Sequence, residues 1–300
     1  MSMRVFVTGG SGFVGTHLLA HLAANGDEVE APLTDVTDVD AITAALATMP
    51  GGPPEAIYHL AGQADVGRSW TDVSLTWAVN AMGTVNLLEA ARAVAPAARI
   101  VVVSSAEVYG RVPPEGLPIR EDQPTASSSP YGASKIAAEN AARFASENFG
   151  QRIIVARPFN HLGVGQSPGF ILPAVARQIV EAERSHSSVI MLGNLDARRD
   201  MTSVEDVVRA YRLLATRGVD AETYNVCSDT TVTMQELVER MLALAFKPLT
   251  VVLDETRLRP SDIAVQCGDS SKLRRDTGWS PESELDDVLL AVLGEWRARQ

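Results

Sequence analysis

Short apolar runs alternate with longer stretches of helical period through the first half of the chain. Val-Phe-Val (5–7), Ile-Val-Val-Val (100–103) and Ile-Ile-Val-Ala (153–156) are nearly continuous, the pattern of strands buried on both faces. Together with two weaker runs they predict strands at Arg4–Thr8, Glu28–Ala31, Ala56–Ala61, Arg99–Ser105 and Arg152–Phe159. Helical periodicity fills the gaps at about Gly12–Asn25, Val39–Met49, Thr76–Val94 and Pro130–Asn148, and Gly26 stands where a helix C-cap glycine belongs. Alternation of this kind predicts an α/β fold, a doubly wound parallel sheet with helices on both faces.

Beyond Pro158 the texture changes. Loops rich in Gly, Asn and Pro are expected at Asn160–Gly169, Gly193–Arg198 and Arg257–Asp262, between helices near Pro173–Ser185, Val204–Thr216, Thr233–Leu244 and Ser283–Arg297. A smaller C-terminal α/β lobe is the natural reading.

Charge narrows the range of partners. The net charge is 26 − 37 = −11 without a run of Lys or Arg, which argues against nucleic acid. An anionic substrate must then be gripped by particular arginines rather than by a general field. Cys227 and Cys267 have neither CxxC nor metal-type spacing, so neither a disulfide framework nor a metal site is expected. The N-terminus runs straight into a strand pattern without a signal-type apolar region, and no apolar stretch approaches the roughly 20 residues of a membrane span. These features point to a soluble cytoplasmic chain with no membrane partner.

Thr8-Gly9-Gly10-Ser11-Gly12-Phe13-Val14-Gly15 follows the first strand and opens the first helix. It fits G-x-G-x-x-G through Gly10, Gly12 and Gly15, and G-x-x-G-x-x-G through Gly9, Gly12 and Gly15. Such a loop brings backbone N–H groups to a pyrophosphate at the positive end of a helix, the signature of a Rossmann dinucleotide site. The segment that should read the ribose is shortened. Strand two passes almost at once into Asp35-Val36, no Arg or Lys lies between Asp27 and Glu55, and there is no room for a separate third strand with its helix. NAD and NADP both stay open. On this reading residues 1–159 form the dinucleotide-binding domain, with 201–217 returning to it, and 160–300 form mainly the substrate-binding lobe.

Tyr131 and Lys135 lie four apart on one helix face, behind Ser129 as N-cap and Pro130 at the first helical position. An ammonium beside a phenol is expected to lower the phenol's pKa and ready it for proton exchange with a carbonyl or alcohol oxygen.

With the glycine loop, Leu60-Ala61-Gly62, Asn80 in Asn-Ala-Met-Gly-Thr, Ser104-Ser105 and Tyr131…Lys135, the chain resembles the extended short-chain dehydrogenase/reductase family. That resemblance implies a catalytic trio of Ser105, Tyr131 and Lys135. Ser105 would bond the reacting oxygen, Tyr131 would pass the proton, and Lys135 would hold the nicotinamide ribose. It also implies cofactor contacts from Gly9, Gly12, Phe13, Val14, Gly15, Asp35, Val36, Leu60, Ala61, Gly62, Asn80, Tyr131, Lys135 and Phe159, and substrate contacts from Ser105, Ala106, Asn160, Arg199, Arg257 and Arg259. Arg157-Pro158-Phe159-Asn160-His161-Leu162-Gly163-Val164-Gly165-Gln166, Gly193-Asn194-Leu195-Asp196 with Arg199-Asp200, Tyr224-Asn225-Val226-Cys227-Ser228 and Arg257-Leu258-Arg259-Pro260 are similar to GDP-4-keto-6-deoxy-mannose reductases. The proline usual in those reductases is Val164 here.

Physical chemistry agrees with that likeness. Arg199 and Arg259, expected in loops, supply the bidentate forks a nucleotide diphosphate needs, and Asn160 lies just past a strand end at the mouth of the sheet. The implied activity is reduction of the 4-keto group of a nucleotide-linked 6-deoxyhexose by NADPH or NADH, GDP-4-keto-6-deoxy-D-mannose giving GDP-D-rhamnose foremost. Glu107 keeps alternatives open, since a carboxylate two residues beyond the serine is where dehydratases place their base. A 4,6-dehydratase or a 4-epimerase stays open on this sequence, and more remotely a non-catalytic nucleotide sensor. His161 reads as a polar residue orienting its loop, and His17, His21, His59 and His186 show no ligand spacing. A homodimer is expected from the resemblance and from the small side chains of Ile136-Ala137-Ala138-Glu139-Asn140-Ala141-Ala142.

Overall fold

The computed structural model describes residues 2–185, 187–254 and 263–299. The first five strands are β1 (Arg4–Thr8), β2 (Glu28–Glu30), β3 (Ala56–His59), β4 (Arg99–Val103) and β5 (Arg152–Pro158). The second half adds β6 (Asn160–Leu162), β7 (Val189–Leu192), β8 (Arg198–Ser203), β9 (Thr223–Val226), β10 (Thr231–Thr233), β11 (Thr250–Leu253) and β12 (Val265–Gln266).

Six strands form one sheet in the order β2-β1-β3-β4-β5-β9, every neighbouring pair parallel. Val5, Val7, Tyr58, Val101 and Ile154 point to one face and pack under the helices Phe13–Ala24 and Val204–Arg217. Phe6, Ile57, Ile100, Val102 and Ile153 point to the other, against Val39–Ala47, Gly83–Val94 and Pro130–Phe149. Two covered faces explain the near-continuous apolar runs. The chain leaves β2 through one helix and crosses to the far side of β1 at β3, with no strand between, as the short segment foretold. This reversal at β1 is the switch point where an open parallel sheet leaves a ligand crevice.

In the second lobe, β8 carries β10 antiparallel on one edge and both β6 and β12 parallel to it. The helices Ile171–Glu183, Met234–Ala243 and Leu285–Ala298 close over Leu172, Ile179, Leu237, Met241, Leu289 and Val292.

Several expectations need correcting. Asn160–Leu162 is a strand, not the start of a loop, and Arg198 and Arg199 open β8. These short polar segments gain their pairing from non-local neighbours, Asn160 opposite Met201 and Arg199 opposite Gln266, which no local pattern encodes. The helix expected over Thr76–Val94 starts at Val73 and passes through a π-helical turn, Ala78–Met82, before resuming at Gly83. The stretch Ile136–Ala142 divides: Ala138 and Ala142 are buried, the latter in the sheet-facing core, and Ala137 and Ala141 stay partly exposed. Caps fell where expected. Ser129 accepts from the Gly132 N–H at 3.0 Å, and Gly26 has φ +78°. His186, Arg257 and Arg259, with the loop Arg257–Asp262, lie outside the described residues.

Candidate active site

Gly9 takes φ +73°, and a Cβ there would sit 2.6 Å from the Ala61 nitrogen, so the first βα loop and the end of β3 touch. A Cβ on Gly15 would run into the Gly9 carbonyl, which fixes how closely the helix Phe13–Ala24 approaches its own loop. Gly12 caps that helix with extended backbone and no side chain, leaving the N–H groups of its positive end to face a phosphate. Phe13 and Val14 are half-buried and lean on the core. The cradle fits a dinucleotide.

The segment after β2 docks against the helix Gly83–Val94. The Asp35 carboxylate accepts from Thr37 N (2.9 Å) and Thr37 Oγ1 (2.8 Å), bonds that hold its pKa below the usual carboxylate range. Val36 is buried; its carbonyl accepts from Asn86 Nδ2 at 3.0 Å, and a Cβ on Gly83 would lie 2.7 Å from its Cγ2.

Leu60, Ala61 and Gly62 leave β3 over a polar network that the sequence did not announce. His59 is buried between Thr8 Oγ1 (2.8 Å) and Thr84 Oγ1 (3.1 Å), and burial drives its pKa down to about 3, so it is neutral. The Ala61 N–H donates to Thr8 Oγ1 at 3.3 Å, and Thr84 Oγ1 to the Asn80 carbonyl at 2.7 Å. From the π turn, Asn80 accepts from Gln63 N (2.8 Å) and donates to the Gln63 carbonyl (3.1 Å) and Ser134 Oγ (3.0 Å). It thereby ties the β3 exit to the helix Pro130–Phe149. A Cβ on Gly62 would come within 3.0 Å of Asn80 Oδ1 and 3.3 Å of Lys135 Nζ, so these three residues converge.

Ser105 ends the β4 exit as N-cap of a single 3₁₀ turn, Ala106–Tyr109, its hydroxyl accepting from Glu107 N at 3.2 Å. Its side chain also bonds the Tyr131 phenol. The expected lowering of the Tyr131 pKa is not what the geometry produces. Burial and, to a smaller extent, the Glu107 charge push it up to about 12, against the Ser105 bond, while Lys135 turns its ammonium to the Val103 carbonyl at 2.8 Å. Desolvation outweighs a charge aimed elsewhere. Lys135 itself is drawn down to about 8 by burial, partly opposed by Glu139.

Ala106 and Phe159 are buried with Tyr109 and Cys227, so the Phe159 ring is core, with its edge against Gly268. Asn160 donates from Nδ2 to Gln266 Oε1 at 3.0 Å. Arg199, a strand residue rather than a loop one, donates from Nη1 to the Ile263 carbonyl at 2.6 Å. Beside it Asp200 is fully buried, accepting from Ser228 N (2.7 Å), Ser228 Oγ (2.7 Å), Asp229 N (3.1 Å) and Gly268 N (3.2 Å). It clamps two turns of the substrate lobe together; burial nonetheless raises its pKa to about 6. His161 Nδ1 donates to the Phe159 carbonyl (2.9 Å), and burial draws its pKa below the usual imidazole range, which suits an orienting role. Among the described residues, no cluster of His, Cys, Asp and Glu could hold a metal, and no helix is long and apolar enough to cross a membrane.

A family model described as GDP-mannose 4,6 dehydratase matches residues 32–291. The chain belongs to that family. It is 36% identical over 304 residues to a GDP-6-deoxy-D-mannose reductase from Pseudomonas aeruginosa, covering all of this chain and 99% of that one. The solved structure of RMD from Pseudomonas aeruginosa complexed with NADPH superposes with TM-score 0.92 at 35% identity, over all of this chain and 99% of that one. A UDP-glucose 4-epimerase from Thermus thermophilus, in complex with NAD, gives TM-score 0.87 at 27% identity, over 99% of this chain and all of the other. The expected class therefore stands: this is an NAD(P)-dependent enzyme of the extended short-chain dehydrogenase/reductase type.

Proposed function

We propose that the chain reduces the 4-keto group of a nucleotide-linked 6-deoxyhexose, GDP-4-keto-6-deoxy-D-mannose to GDP-D-rhamnose foremost, with NADPH or NADH. The observation that carries this reading is the meeting of Ser105, Tyr131 and Lys135 with Gly62 and Asn80 beyond the ends of β3 and β4, in a chain similar end to end to a GDP-6-deoxy-D-mannose reductase. Bound at the glycine loop, the nicotinamide cofactor supplies the hydride. Gly9, Gly12, Gly15 and the start of the helix Phe13–Ala24 would hold its pyrophosphate, Asp35 and Val36 would border its ribose, and Lys135 would bond the nicotinamide ribose. Ser105 Oγ holds the substrate's 4-oxygen, and the Tyr131 hydroxyl donates its proton there as charge develops. A phenol near pKa 12 stays protonated at neutral pH, the state a proton donor needs. Arg199 and Asn160 line the sugar-nucleotide side, with Arg257 and Arg259 as expected partners for the diphosphate.

A second reading, 4,6-dehydration, is favoured by Glu107, whose charge acts on Tyr131. Dehydration needs a base at C5, a role open to Glu107; a 4-keto reduction needs only hydride and one proton. The test is purified protein with the 4-keto sugar and NADPH or NADH: stoichiometric loss of nicotinamide absorbance is expected, and its absence sinks the reductase reading. Glu107→Gln should leave the rate within about tenfold for a reductase, and abolish turnover of GDP-mannose for a dehydratase.

We also propose a homodimer, supported by exposed Trp77 and Met82 in the segment leading into the helix Gly83–Val94 and by exposed Phe144 on Tyr131's own helix. Sedimentation equilibrium tests it, and a monomer at micromolar concentration would exclude it.

A further inference from the structure

The helix Pro130–Phe149 sets Tyr131, Lys135 and Glu139 in line, four residues apart. Each engages the exit of β4: Tyr131 the Ser105 side chain, Lys135 the Val103 carbonyl at 2.8 Å, and Glu139 the Ser104 hydroxyl. Glu139 is also gripped by Arg157 from β5, Nε to Oε1 at 2.9 Å and Nη2 to Oε2 at 2.6 Å. Arg157 is 6% exposed, lies over the Tyr109 ring at 4.7 Å and donates to its hydroxyl at 2.9 Å.

A buried ion pair is a weak source of stability, and apolar side chains of similar volume would hold this helix to β5 about as well. What they could not supply is a negative charge one helical turn from a buried ammonium. The titratable and charged groups around Lys135 are Tyr131 and Glu139 on its own helix, neutral His59 on β3 and Arg157 behind Glu139, with Glu107 beyond β4 acting on Tyr131.

We propose that Glu139, fixed by Arg157 and Ser104, is a positioning residue that keeps the Lys135 ammonium charged and facing the cofactor ribose. This rests on the reading that Lys135 contacts that ribose. Burial pulls Lys135 down and the Glu139 charge opposes it, so the balance between them decides where the ammonium is lost.

The experiment is the pH dependence of NADPH affinity, followed by nicotinamide fluorescence between pH 6 and 10, with turnover measured alongside. Glu139→Gln keeps an acceptor for Ser104 and Arg157 but removes the charge, so the alkaline loss of affinity should move down by about one pH unit. Arg157→Gln leaves the Glu139 charge unshared and should move it up; Glu139→Asp should leave it near the wild type. A purely structural role predicts weaker folding with an unmoved limb. Unmoved limbs, or limbs moved the same way by Glu139→Gln and Arg157→Gln, overturn the proposal. Should Glu139→Gln fail to fold, the direction of the Arg157→Gln shift decides. Because the readout is binding of the reduced nicotinamide, it stands even where the keto-sugar assay fails, and NADH replaces NADPH if it binds tighter; a protein that binds neither overturns both.

Discussion

Phe13 stacks on His161 with ring centroids 6.0 Å apart and planes 7° from parallel. One ring opens the helix after the glycine loop, and the other stands in β6 at the start of the substrate lobe. The same helix reaches across a second time, His17 Nε2 meeting the Val164 carbonyl at 2.7 Å. The glycine loop is thus braced against the segment that carries Asn160.

Phe13→Leu keeps the apolar bulk and loses the stack. The expected cost is about 1 kcal/mol of stability, read by urea denaturation, with a raised KM for the cofactor. An unchanged KM would mean that the stack does not transmit to the glycine loop.

Tyr131→Phe removes the proposed proton donor while leaving the ring and its burial. Turnover should fall by about 10²–10⁴-fold with NADPH binding preserved. Full activity in this variant would assign the proton to another group.

Gly15→Ala drives a methyl into the Gly9 carbonyl and to 2.7 Å from Gly10 Cα. Neither is the flexible end of a side chain. Thermal unfolding should report a loss of about 1–3 kcal/mol, and NADPH affinity should drop because the loop must open to fit the methyl.

His59 has a folded-state pKa near 3 against an ordinary 6.5, so the native state refuses a proton that the unfolded chain takes up. Its contribution is fully present above pH 6.5 and is lost as pH falls from there toward 3. The slope is at most about 1.4 kcal/mol per pH unit. Urea midpoints from pH 7 to 4 should show it, and His59→Gln, which keeps a polar side chain but cannot be protonated, should flatten it. An equal slope in the variant would place the acid sensitivity elsewhere.

Local pattern carried far in this protein. The apolar runs at Val5–Val7, Ile100–Val103 and Ile153–Ala156 read as doubly covered strands because burial on both faces leaves no polar side to the pleat. Gly9 and Gly15 were legible because a turn at a helix start restricts which residue fits, and Tyr131–Lys135 because a helix places i and i+4 on one face. Those are short-range constraints, written in adjacent residues.

What tertiary structure decided lies between distant segments. Whether Lys135 tunes Tyr131 depended on where its ammonium points, and the Val103 carbonyl and burial settled that against the expectation from spacing. His59 became a buried neutral link only once Thr8 and Thr84 closed around it. Asn160 and Arg199 became strand residues through β8, and Ala142 was buried against the sheet while Ala137 stayed partly exposed. The sequence by itself determined which side chains could do carbonyl chemistry and on what scaffold. Their protonation states and partners were decided by the fold, because desolvation and non-local hydrogen bonds have no counterpart in residue spacing.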